Sequence, residues 1–477
     1  MILIVAFSSF VFSFVSLYAL RRYLTGNKIP SGDAFFHLLI SEHVRKNRWK
    51  YPVSLENVEF YEGEKRYNYL AYPPIFHYIT ALFPIRFHLS ITKLLNLVIL
   101  SCISSLTAIT VFGLTTNPIV ALLSGLLPIL SLSVFELSVM FTPRPLGIFF
   151  YSVIACIAIF FSYDLSLMLA ISVLVALIAL THKFAIQILA FVLLPYSILF
   201  NELYLFVGFA LGVLIAIISS RGMYLKILRE HLSWLYFYSK FPSKAQFTNK
   251  LKRILIRNLW YFAILFTAIV LLLRNDQSWL TTDLGTRIAY WAFAPIVIAL
   301  VVSNRHLSFL GEDYRYVEYG MFPVGLLSVI FFTGSNITVW FAFFVVFLLS
   351  FVIMIQYRKH IHRTAQLVDP IDISSYSSLN HFAEDNFLIF PHIRTLEVKY
   401  FAQVHVIHSV RPKNVSGLEH LRNLLTGYEI RYILRFKHTD QRHFFELLAG
   451  MFRLNRILSF TNFDLYEILA KESCNKS

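Results

Sequence analysis

An acidic residue and a histidine follow the first apolar run of the chain, in the stretch IPSGDAFFHLLISEH. Asp33 and His37 lie four positions apart, and residues at that spacing share one face of a helix. A carboxylate at a membrane surface is costly unless water, a cation or a substrate meets it. The pair is therefore a candidate catalytic site, in which Asp33 takes up a proton or binds a cation and His37 assists. The alternative is that Asp33 only caps the helix that follows it.

Two charged residues stand at a later apolar boundary, in LSVFELSVMFTPRPLG. Glu136 lies inside the apolar run, where an ionisable residue is a functional candidate by default. Arg144 lies at its end and suits a phosphate, because a guanidinium presents a rigid fork of donors. An ion pair between Glu136 and Arg144, about two helical turns apart, is the structural alternative.

Arg315, in NRHLSFLGEDYRYVEYGMFP, is a second candidate for binding a phosphate. Glu312 and Asp313 precede it and are expected to orient its side chain, although an ordinary charged loop is the alternative. His182 and Lys183, in LTHKFAIQI, stand at the start of another apolar run. They are weaker candidates for the same contact.

The run YNYLAYPPIFHYITALFP is short and broken by proline, and it carries Tyr72 and His77. Its length predicts a helix that dips into the bilayer rather than one that crosses it. Tyr72 and His77 are then expected to line the entrance for an acceptor substrate. The basic run at 244–257 is expected to bind lipid head groups.

The composition predicts a polytopic membrane protein. Of 477 residues, 57% are hydrophobic and only 14% are charged, which is more apolar material than a soluble domain of this size needs. The net charge of +15 then favours anionic lipid head groups or a phosphate-bearing substrate over nucleic acid as the partner. The 3 cysteines indicate neither a disulfide framework nor a metal cluster.

Apolar runs of roughly 17–25 residues predict about 11 transmembrane helices in a domain that covers residues 1–363. The first loop, 21–90, contains DAFFHLLISEHVRKNRW, which is typical of a helix lying in the membrane interface. A second aromatic and basic loop, 221–258, has the same character. The spans are expected near residues 2–20, 91–113, 117–139, 146–163, 165–181, 184–200, 203–220, 259–273, 288–303, 319–334 and 335–357.

The composition changes after QYRKHIHR, and residues 364–477 are expected to form a small soluble α/β domain. NFLIFPHI, FAQVHVIH, YEIRYILRF, RILSF and FDLYEIL are typical of strands, and LEHLRNLLTG and QRHFFELLAGMF of helices. The last two strands are separated by TN, which predicts a tight turn.

The order of these elements resembles the GT-C superfamily of membrane glycosyltransferases. An acidic residue follows the first helix, and an aromatic-rich loop with YPPIFHY, a helix pair and MFTPRPLG come after it. The superfamily includes protein mannosyltransferases, the aminoarabinose transferase of lipid A and the catalytic subunit of oligosaccharyltransferase. The resemblance covers roughly residues 1–160, with a weaker echo at GEDYRYVEYGMFP and in the tail.

This resemblance implies an enzyme that transfers a sugar from a polyprenyl-phosphate-linked donor to a glycan, lipid or protein acceptor. The family's first-loop carboxylate, which catalyses or binds a cation, corresponds to Asp33 and implies a divalent cation such as Mg²⁺ or Mn²⁺. The late loop arginine that contacts the carrier phosphate corresponds to Arg315. Family members usually carry an acid after the helix pair, where this chain has Arg144 and no carboxylate, so it departs from a two-carboxylate metal site.

With a cytoplasmic N-terminus, the predicted spans place Asp33, Arg144, His182 and Arg315 on the outer side of the membrane. We expect a multi-pass protein of a prokaryotic plasma membrane rather than of the endoplasmic reticulum. The positive-inside rule argues against this orientation, because the basic runs lie in the supposed outer loops and the inner loops are nearly uncharged.

Two other functions are compatible with the sequence. A transporter or flippase of lipid-linked saccharides should show broken helices in two related halves, with polar residues at mid-bilayer. The sequence shows no such repeat, and its charges cluster at helix ends. A catalytically inactive relative that serves as a scaffold is the third interpretation, because of the missing second carboxylate.

Overall fold

The computed structural model divides into two compact units, which are described separately. Unit 1 holds Met1–Gly26, Ala71–Phe76 and Ser90–His360, and unit 2 holds Asn27–Leu70, His77–Leu89 and Ile361–Ser477. The structure describes residues 1–26, 28–30, 33–52, 58–62, 65–67, 72–239, 247–273, 282–304, 306–329, 332, 345, 346, 348–353, 355, 356, 367, 368, 376–382, 385–390, 395–402, 404–409, 430–436, 452–460 and 463–469.

The first 327 residues are mainly helical. In chain order the helices are α1 (Ile2–Thr25), α2 (Asp33–Lys46), α3 (Ile75–Ala81), α4 (His88–Thr115), α5 (Pro118–Leu126), α6 (Leu132–Val139), α7 (Arg144–Phe160), α8 (Leu165–Ala179), α9 (Lys183–Leu199), α10 (Leu203–Ser219), α11 (Met223–Ser239), α12 (Phe247–Arg257), α13 (Leu259–Leu273), α14 (Asp283–Val302), α15 (Tyr314–Val317) and α16 (Met321–Leu327).

The helices that could cross a membrane are fewer than the sequence predicts. Among the described residues, 3 stretches are long and apolar enough, namely Ile2–Thr25, Ile85–Thr115 and Asp283–Val302, and up to 6 if each bent helix pair is one span. Three further apolar helices, α7, α8 and α9, are shorter. The count of about 11 spans is therefore not confirmed. Most of the predicted span at 335–357 lies outside the described residues.

The predicted span at 117–139 is broken in the structure. α5 continues into a 3-10 turn, Leu127–Leu130, and this segment meets α6 at an angle of 72°. Pro128 lies at the second position of the turn, and proline cannot donate the hydrogen bond that would continue α5 as an α-helix. α6 then ends at Val139, before Arg144.

Small side chains allow α1, α4 and α5 to pack closely in unit 1. The Ser13 and Ser104 hydroxyls lie 2.6 Å apart, and Ser104 donates to the Gly125 carbonyl at 2.5 Å. A Cβ at Gly125 would lie 2.8 Å from both the Ser104 carbonyl oxygen and the Ser9 hydroxyl. Close backbone approach with interhelical hydrogen bonds is how helices associate where lipid supplies no hydrophobic driving force.

The described strands of unit 2 form a mixed sheet of 7 strands in the order β3-β2-β6-β5-β7-β9-β8, and a separate pair β1-β4. β2, β6, β5 and β7 are parallel neighbours, and the pairs β2/β3, β7/β9 and β9/β8 are antiparallel. The strands are β1 (Ile29–Pro30), β2 (Val58–Glu62), β3 (Lys65–Tyr67), β4 (Leu367–Val368), β5 (Asn386–Phe390), β6 (His405–Ser409), β7 (Ile430–Phe436), β8 (Arg453–Ser459) and β9 (Phe463–Leu469).

All five strands predicted in the tail are present as β5 to β9, and β8 and β9 are antiparallel neighbours, as a tight turn requires. Phe401 is not part of β6, because it ends the helix Thr395–Phe401 and β6 begins at His405. The helix predicted at 418–427 lies outside the described residues, and so does the one predicted at 441–452 apart from its last residue. The first loop contributes β2 and β3 to the same sheet, which the sequence analysis does not predict. The division at residue 363 stays a prediction.

α2 is fixed in unit 2 by an aromatic contact with the helix Thr395–Phe401. The Phe35 ring lies 5.5 Å from that of Tyr400 and 5.4 Å from that of Phe401, centroid to centroid. Phe35 is fully buried, and burying a side chain of this size contributes roughly 1.5–3 kcal/mol. This contact packs α2, the helix that carries Asp33 and His37, against the helix Thr395–Phe401.

Candidate functional site

Asp33 and His37 lie on the same helix of unit 2, as their spacing predicts, but they differ in exposure. Asp33 is the first residue of α2 and is exposed. His37, one turn later, is buried with 2% of its surface exposed. The Asp33 charge acts on the His37 ring. An exposed carboxylate therefore stands beside a buried imidazole.

His37 hydrogen-bonds a second candidate from the sequence, His77 of α3. The distance from His37 Nδ1 to His77 Nε2 is 2.9 Å, and the Tyr51 hydroxyl lies 3.3 Å from His77 Nδ1. We call His37 and His77 the histidine pair. Because both nitrogens of His77 are engaged, the tautomer of each ring depends on its neighbour, and two rings and a hydroxyl form one hydrogen-bonded chain.

His37, one member of the histidine pair, is uncharged at pH 7. Burial lowers the pKa of His37 to about 4, and the Asp33 charge offsets only part of this effect. An imidazole with so low a pKa is a weak base at neutral pH. The geometry therefore favours a positioning role for His37 over uptake of a proton.

A divalent cation at Asp33 would need several further oxygen or nitrogen ligands. Within the part of the chain that the structure describes, no group of three or more His, Cys, Asp or Glu side chains could hold a metal ion. His37 directs Nδ1 to His77 instead. Among the described residues, Asp33 therefore has no surrounding cluster of such ligands.

Arg144 starts α7 in unit 1 and is buried against Glu318. Its Nη1 donates to both carboxylate oxygens, at 3.0 Å to Oε1 and 3.2 Å to Oε2. The two side chains are 10% and 0% exposed, so each charge depends on the other for compensation. No described residue accepts a hydrogen bond from Nε or Nη2 of Arg144, which leaves donors for a ligand.

Arg315 acts on the same carboxylate of Glu318 from α15, and it is 32% exposed. Its Nε lies 2.6 Å from Oε2 of Glu312, and the Tyr314 hydroxyl donates to that oxygen at 2.5 Å. Burial raises the pKa of Glu312, but Arg315, the Tyr314 hydroxyl, Arg144 and Arg253 together outweigh burial, so that the pKa of Glu312 is lowered. The ion pair with Glu312 orients Arg315, as expected.

Two other acids have partners that the sequence does not indicate. Asp313 binds Arg253 at 2.5 Å rather than orienting Arg315. Glu136 binds Arg257, with 2.6 Å between Oε2 and Nη1. The expected pair of Glu136 with Arg144 is not formed, because α6 ends before Arg144 and the two residues do not share a helix.

His182 lies at the N-terminal end of α9, where Gly147 of α7 leaves room for it. A Cβ at Gly147 would lie 2.9 Å from the Ala185 Cβ, 3.5 Å from the His182 Cβ and 3.6 Å from the Tyr319 hydroxyl. Tyr319 follows Glu318 directly and is fully buried. Gly147 thus brings α7, α9 and the Glu318 segment together.

Lys183 and Tyr72 belong to the same surroundings. The Lys183 charge interacts with that of Arg315, and Tyr72 acts electrostatically on Tyr319. Unit 1 therefore brings together the six candidates that the sequence places in it: Tyr72, Glu136, Arg144, His182, Lys183 and Arg315. We call the four paired arginines with their four acids the arginine cluster: Arg144, Arg253, Arg257 and Arg315 with Glu318, Asp313, Glu136 and Glu312.

Glu318, Tyr51, Arg253 and Arg257 are not among the site residues that the sequence predicts. Glu318 carries a signal, since it lies in the quoted stretch GEDYRYVEYGMFP just before a predicted span. Arg253 and Arg257 lie in a run that the sequence assigns to head groups, and only their contacts with Asp313 and Glu136 show otherwise. Tyr51 carries no pattern of its own.

No family model and no curated protein sequence matches this chain. Solved structures do match it. ArnT from Cupriavidus metallidurans in the apo state is 12% identical, with 97% of this chain and 98% of that chain covered and a TM-score of 0.62. The same protein bound to undecaprenyl phosphate is 11% identical, with 96% and 97% covered and a TM-score of 0.60.

The archaeal oligosaccharyltransferase AglB from Archaeoglobus fulgidus, in complex with an inhibitory peptide and a dolichol-phosphate, is 12% identical. The match covers 96% of this chain and 74% of that chain, with a TM-score of 0.54. ArnT and AglB are both GT-C superfamily membrane glycosyltransferases. At these identities the likeness establishes the fold, so the chain has the GT-C fold that the order of its sequence elements predicts.

Proposed function

We propose that this protein is an integral-membrane glycosyltransferase that moves a sugar from a polyprenyl-phosphate-linked donor to an acceptor on the extracytoplasmic face. The observation that carries the proposal is the arginine cluster, in which Arg144 and Arg315 both act on one buried carboxylate, that of Glu318. The likeness to ArnT bound to undecaprenyl phosphate, over 96% of this chain, supports a ligand of the same chemical class.

The proposed donor site uses Arg144 and Arg315. When the sugar leaves the carrier, the bond between its anomeric carbon and the phosphate oxygen breaks and its electron pair stays on the phosphate. A fixed cation at that oxygen stabilises the transition state more than the ground state. Glu318 and Glu312 hold the two guanidinium groups in place, so little reorganisation is needed at the moment of reaction.

The proposed base is Asp33 of unit 2. Sugar transfer requires the acceptor atom to lose a proton as it bonds to the anomeric carbon, and an exposed carboxylate such as that of Asp33 can take up such a proton. His37 and His77 then act as positioning residues, since their hydrogen bond fixes the face of α2 from which Asp33 projects.

A direct assay tests the proposed function. The full chain, purified and reconstituted in vesicles, is incubated with a panel of labelled polyprenyl-phosphate sugars and with glycan, lipid and peptide acceptors. We expect a covalent labelled product with at least one donor, and none with the Asp33→Asn variant at equal folded protein. Movement of the donor across the vesicle membrane without any covalent product would overturn the proposal and identify a transporter. Donor binding with neither movement nor product would identify a scaffold.

A further inference from the structure

Arg21, near the C-terminal end of α1, is a buried arginine that forms no ion pair with a carboxylate among the described residues. It is 4% exposed, and its Nε and Nη2 atoms have no hydrogen-bond partner in the part of the chain that the structure describes. The other buried arginine of unit 1, Arg144, has Glu318. A buried charge with nothing to compensate it costs several kcal/mol, so such a group is retained where a ligand supplies the compensation.

A second cation lies near Arg21. Lys93, in the second turn of α4, lies close enough for the Arg21 charge to act on it. The serine contacts between α1 and α4 account for this, because Ser13 and Ser104 touch at 2.6 Å. Counting from that contact, Arg21 lies roughly 12 Å along α1 and Lys93 roughly 16 Å back along α4, toward the start of α4. Two positive charges thus meet where the two helices end.

We propose that Arg21 and Lys93 form a binding site for a phosphate group. Two cations repel each other, and an anion between them converts that repulsion into attraction. The planar fork of a guanidinium matches the oxygens of a phosphate, and an ammonium adds a point charge. Tyr18, three residues before Arg21, acts on the guanidinium from the same helix face and adds a hydroxyl at the edge of the site.

The phosphate can belong to a lipid head group or to a free anion. Arg21 and Lys93 stand at the ends of membrane helices, the level at which lipid phosphates lie. The site binds by charge and shape alone, so its existence does not depend on sugar transfer. It is distinct in its residues from the arginine cluster, where every arginine has a carboxylate partner.

The neighbouring Arg22 offers a matched control, because it is exposed on the same turn of α1. The full chain and its Arg21→Gln, Arg21→Lys and Arg22→Gln variants are titrated in detergent with inorganic phosphate and with phosphatidic acid, and phosphatidylcholine serves as a head group without net charge. Binding is measured by native mass spectrometry. We expect Arg21→Gln to weaken binding of at least one probe by tenfold or more, Arg21→Lys to weaken it less, and Arg22→Gln to leave it unchanged.

The two probes separate the sources. If Arg21→Gln weakens binding of phosphatidic acid alone, the ligand is a lipid head group. If it weakens binding of inorganic phosphate alone, the ligand is a free anion. A second readout covers folding: in buffer without either probe, Arg21→Gln should unfold at the temperature of the parent or above, because it removes an uncompensated buried charge. Equal binding by parent and Arg21→Gln, equal loss in Arg22→Gln, or a lower unfolding temperature of Arg21→Gln without probes would each overturn the proposal.

Discussion

Single residues decide how the arginine cluster acts, because its two ligand-binding arginines are compensated differently. Arg144 is buried and its charge is compensated by Glu318. Arg315 is 32% exposed, and its partner Glu312 is also partly exposed to solvent. Truncation of Arg315 therefore leaves its partner Glu312 in contact with solvent, and we expect it to lower the rate of catalysis. Truncation of Arg144 leaves Glu318 as a buried charge, and we expect it to lower the stability of the fold.

We expect Arg315→Ala to lower turnover by about a hundredfold or more, since removing one contact to a developing negative charge costs roughly 2.7–4 kcal/mol. Arg315→Lys should restore only part of the rate, because an ammonium lacks the fork. Initial rates of sugar transfer measure both effects, with Arg229→Ala, at an exposed position of α11, as the control. Parental turnover by Arg315→Ala would place the donor phosphate elsewhere.

The Arg144–Glu318 pair can be tested by stability. Glu318→Gln and Arg144→Met each leave one buried charge unpaired, which typically costs on the order of 3–5 kcal/mol. We expect both single variants to unfold at lower temperature. The double variant Arg144→Met/Glu318→Met should lose less unfolding free energy than the summed losses of Arg144→Met and Glu318→Met alone. Thermal unfolding in detergent gives the double-mutant cycle. Additive effects would show that the two side chains do not stabilise each other.

Because His37 is buried in the histidine pair, we expect the protein to lose stability in mild acid. The folded pKa of His37 is about 4, below its ordinary value of 6.5, so between these pH values the unfolded chain binds a proton that the folded chain does not. Stability is therefore complete above pH 6.5 and falls toward pH 4, by on the order of 3 kcal/mol. Unfolding temperature against pH measures this. His37→Asn should reduce the change in unfolding temperature between pH 4 and pH 6.5, and the control His43→Asn on the same helix should not. If His37→Asn shows the same dependence as the parent, His37 is not the cause of the acid sensitivity.

At the scale of elements, the approach of α7 to α9 is what brings Arg144 near His182 and Tyr319. Gly147→Ala would place a Cβ 2.9 Å from Ala185, a position that neither helix can give up cheaply. We expect a lower unfolding temperature and weaker donor binding. Gly113→Ala is the matched control, because this helical glycine of α4 has nothing within 4 Å of the added Cβ. There alanine should stabilise the helix by roughly 0.5–1 kcal/mol. Equal behaviour of the two variants would contradict the close approach.

Elements with a strong local pattern could be predicted from the sequence, and those set by distant partners could not. α1, α4 and the tail strands follow apolar runs whose length or alternation shows in the sequence. The break between α5 and α6 was missed because hydropathy continues across Pro128. β2 and β3 were missed because they depend on pairing with β6, more than three hundred positions away in sequence.

The candidate site divides in the same way. Asp33 and His37 could be found because a four-residue spacing is local, and Arg144 and Arg315 because a charge beside an apolar run stands out. Their partners could not, since Glu318 is separated from Arg144 by 174 positions. Local sequence shows which charges are unusual, but the choice of partner depends on how helices pack, and the pairing of Glu136 was wrong for that reason.

At the scale of the whole molecule, the orientation in the membrane decides which substrates the chain can reach. With a cytoplasmic N-terminus, the start of α7, the start of α9 and α15 all face outward, which a donor presented on the outer side requires. The basic helix α12 would then also lie outside, against the positive-inside rule. Its Arg253 and Arg257 pair with Asp313 and Glu136. Because the rule counts Lys and Arg rather than net charge, these ion pairs do not remove the objection.

Cysteine labelling tests this orientation in whole cells. In a variant lacking Cys102, Cys156 and Cys474, single cysteines replace His306, next to α15, and Asn414, in the tail outside the described residues. We expect an impermeant thiol reagent to label both from outside, because the orientation with a cytoplasmic N-terminus predicts both positions on that face. Ser162→Cys, exposed between α7 and α8, is the internal control and should be labelled only after permeabilisation. The reverse pattern, with Ser162→Cys labelled from outside and His306→Cys protected, would invert the topology and move the arginine cluster to the cytoplasmic face.

Asn414 also begins an N-x-S sequon, so a glycan attached there in a host that glycosylates the outer face would confirm the same side independently.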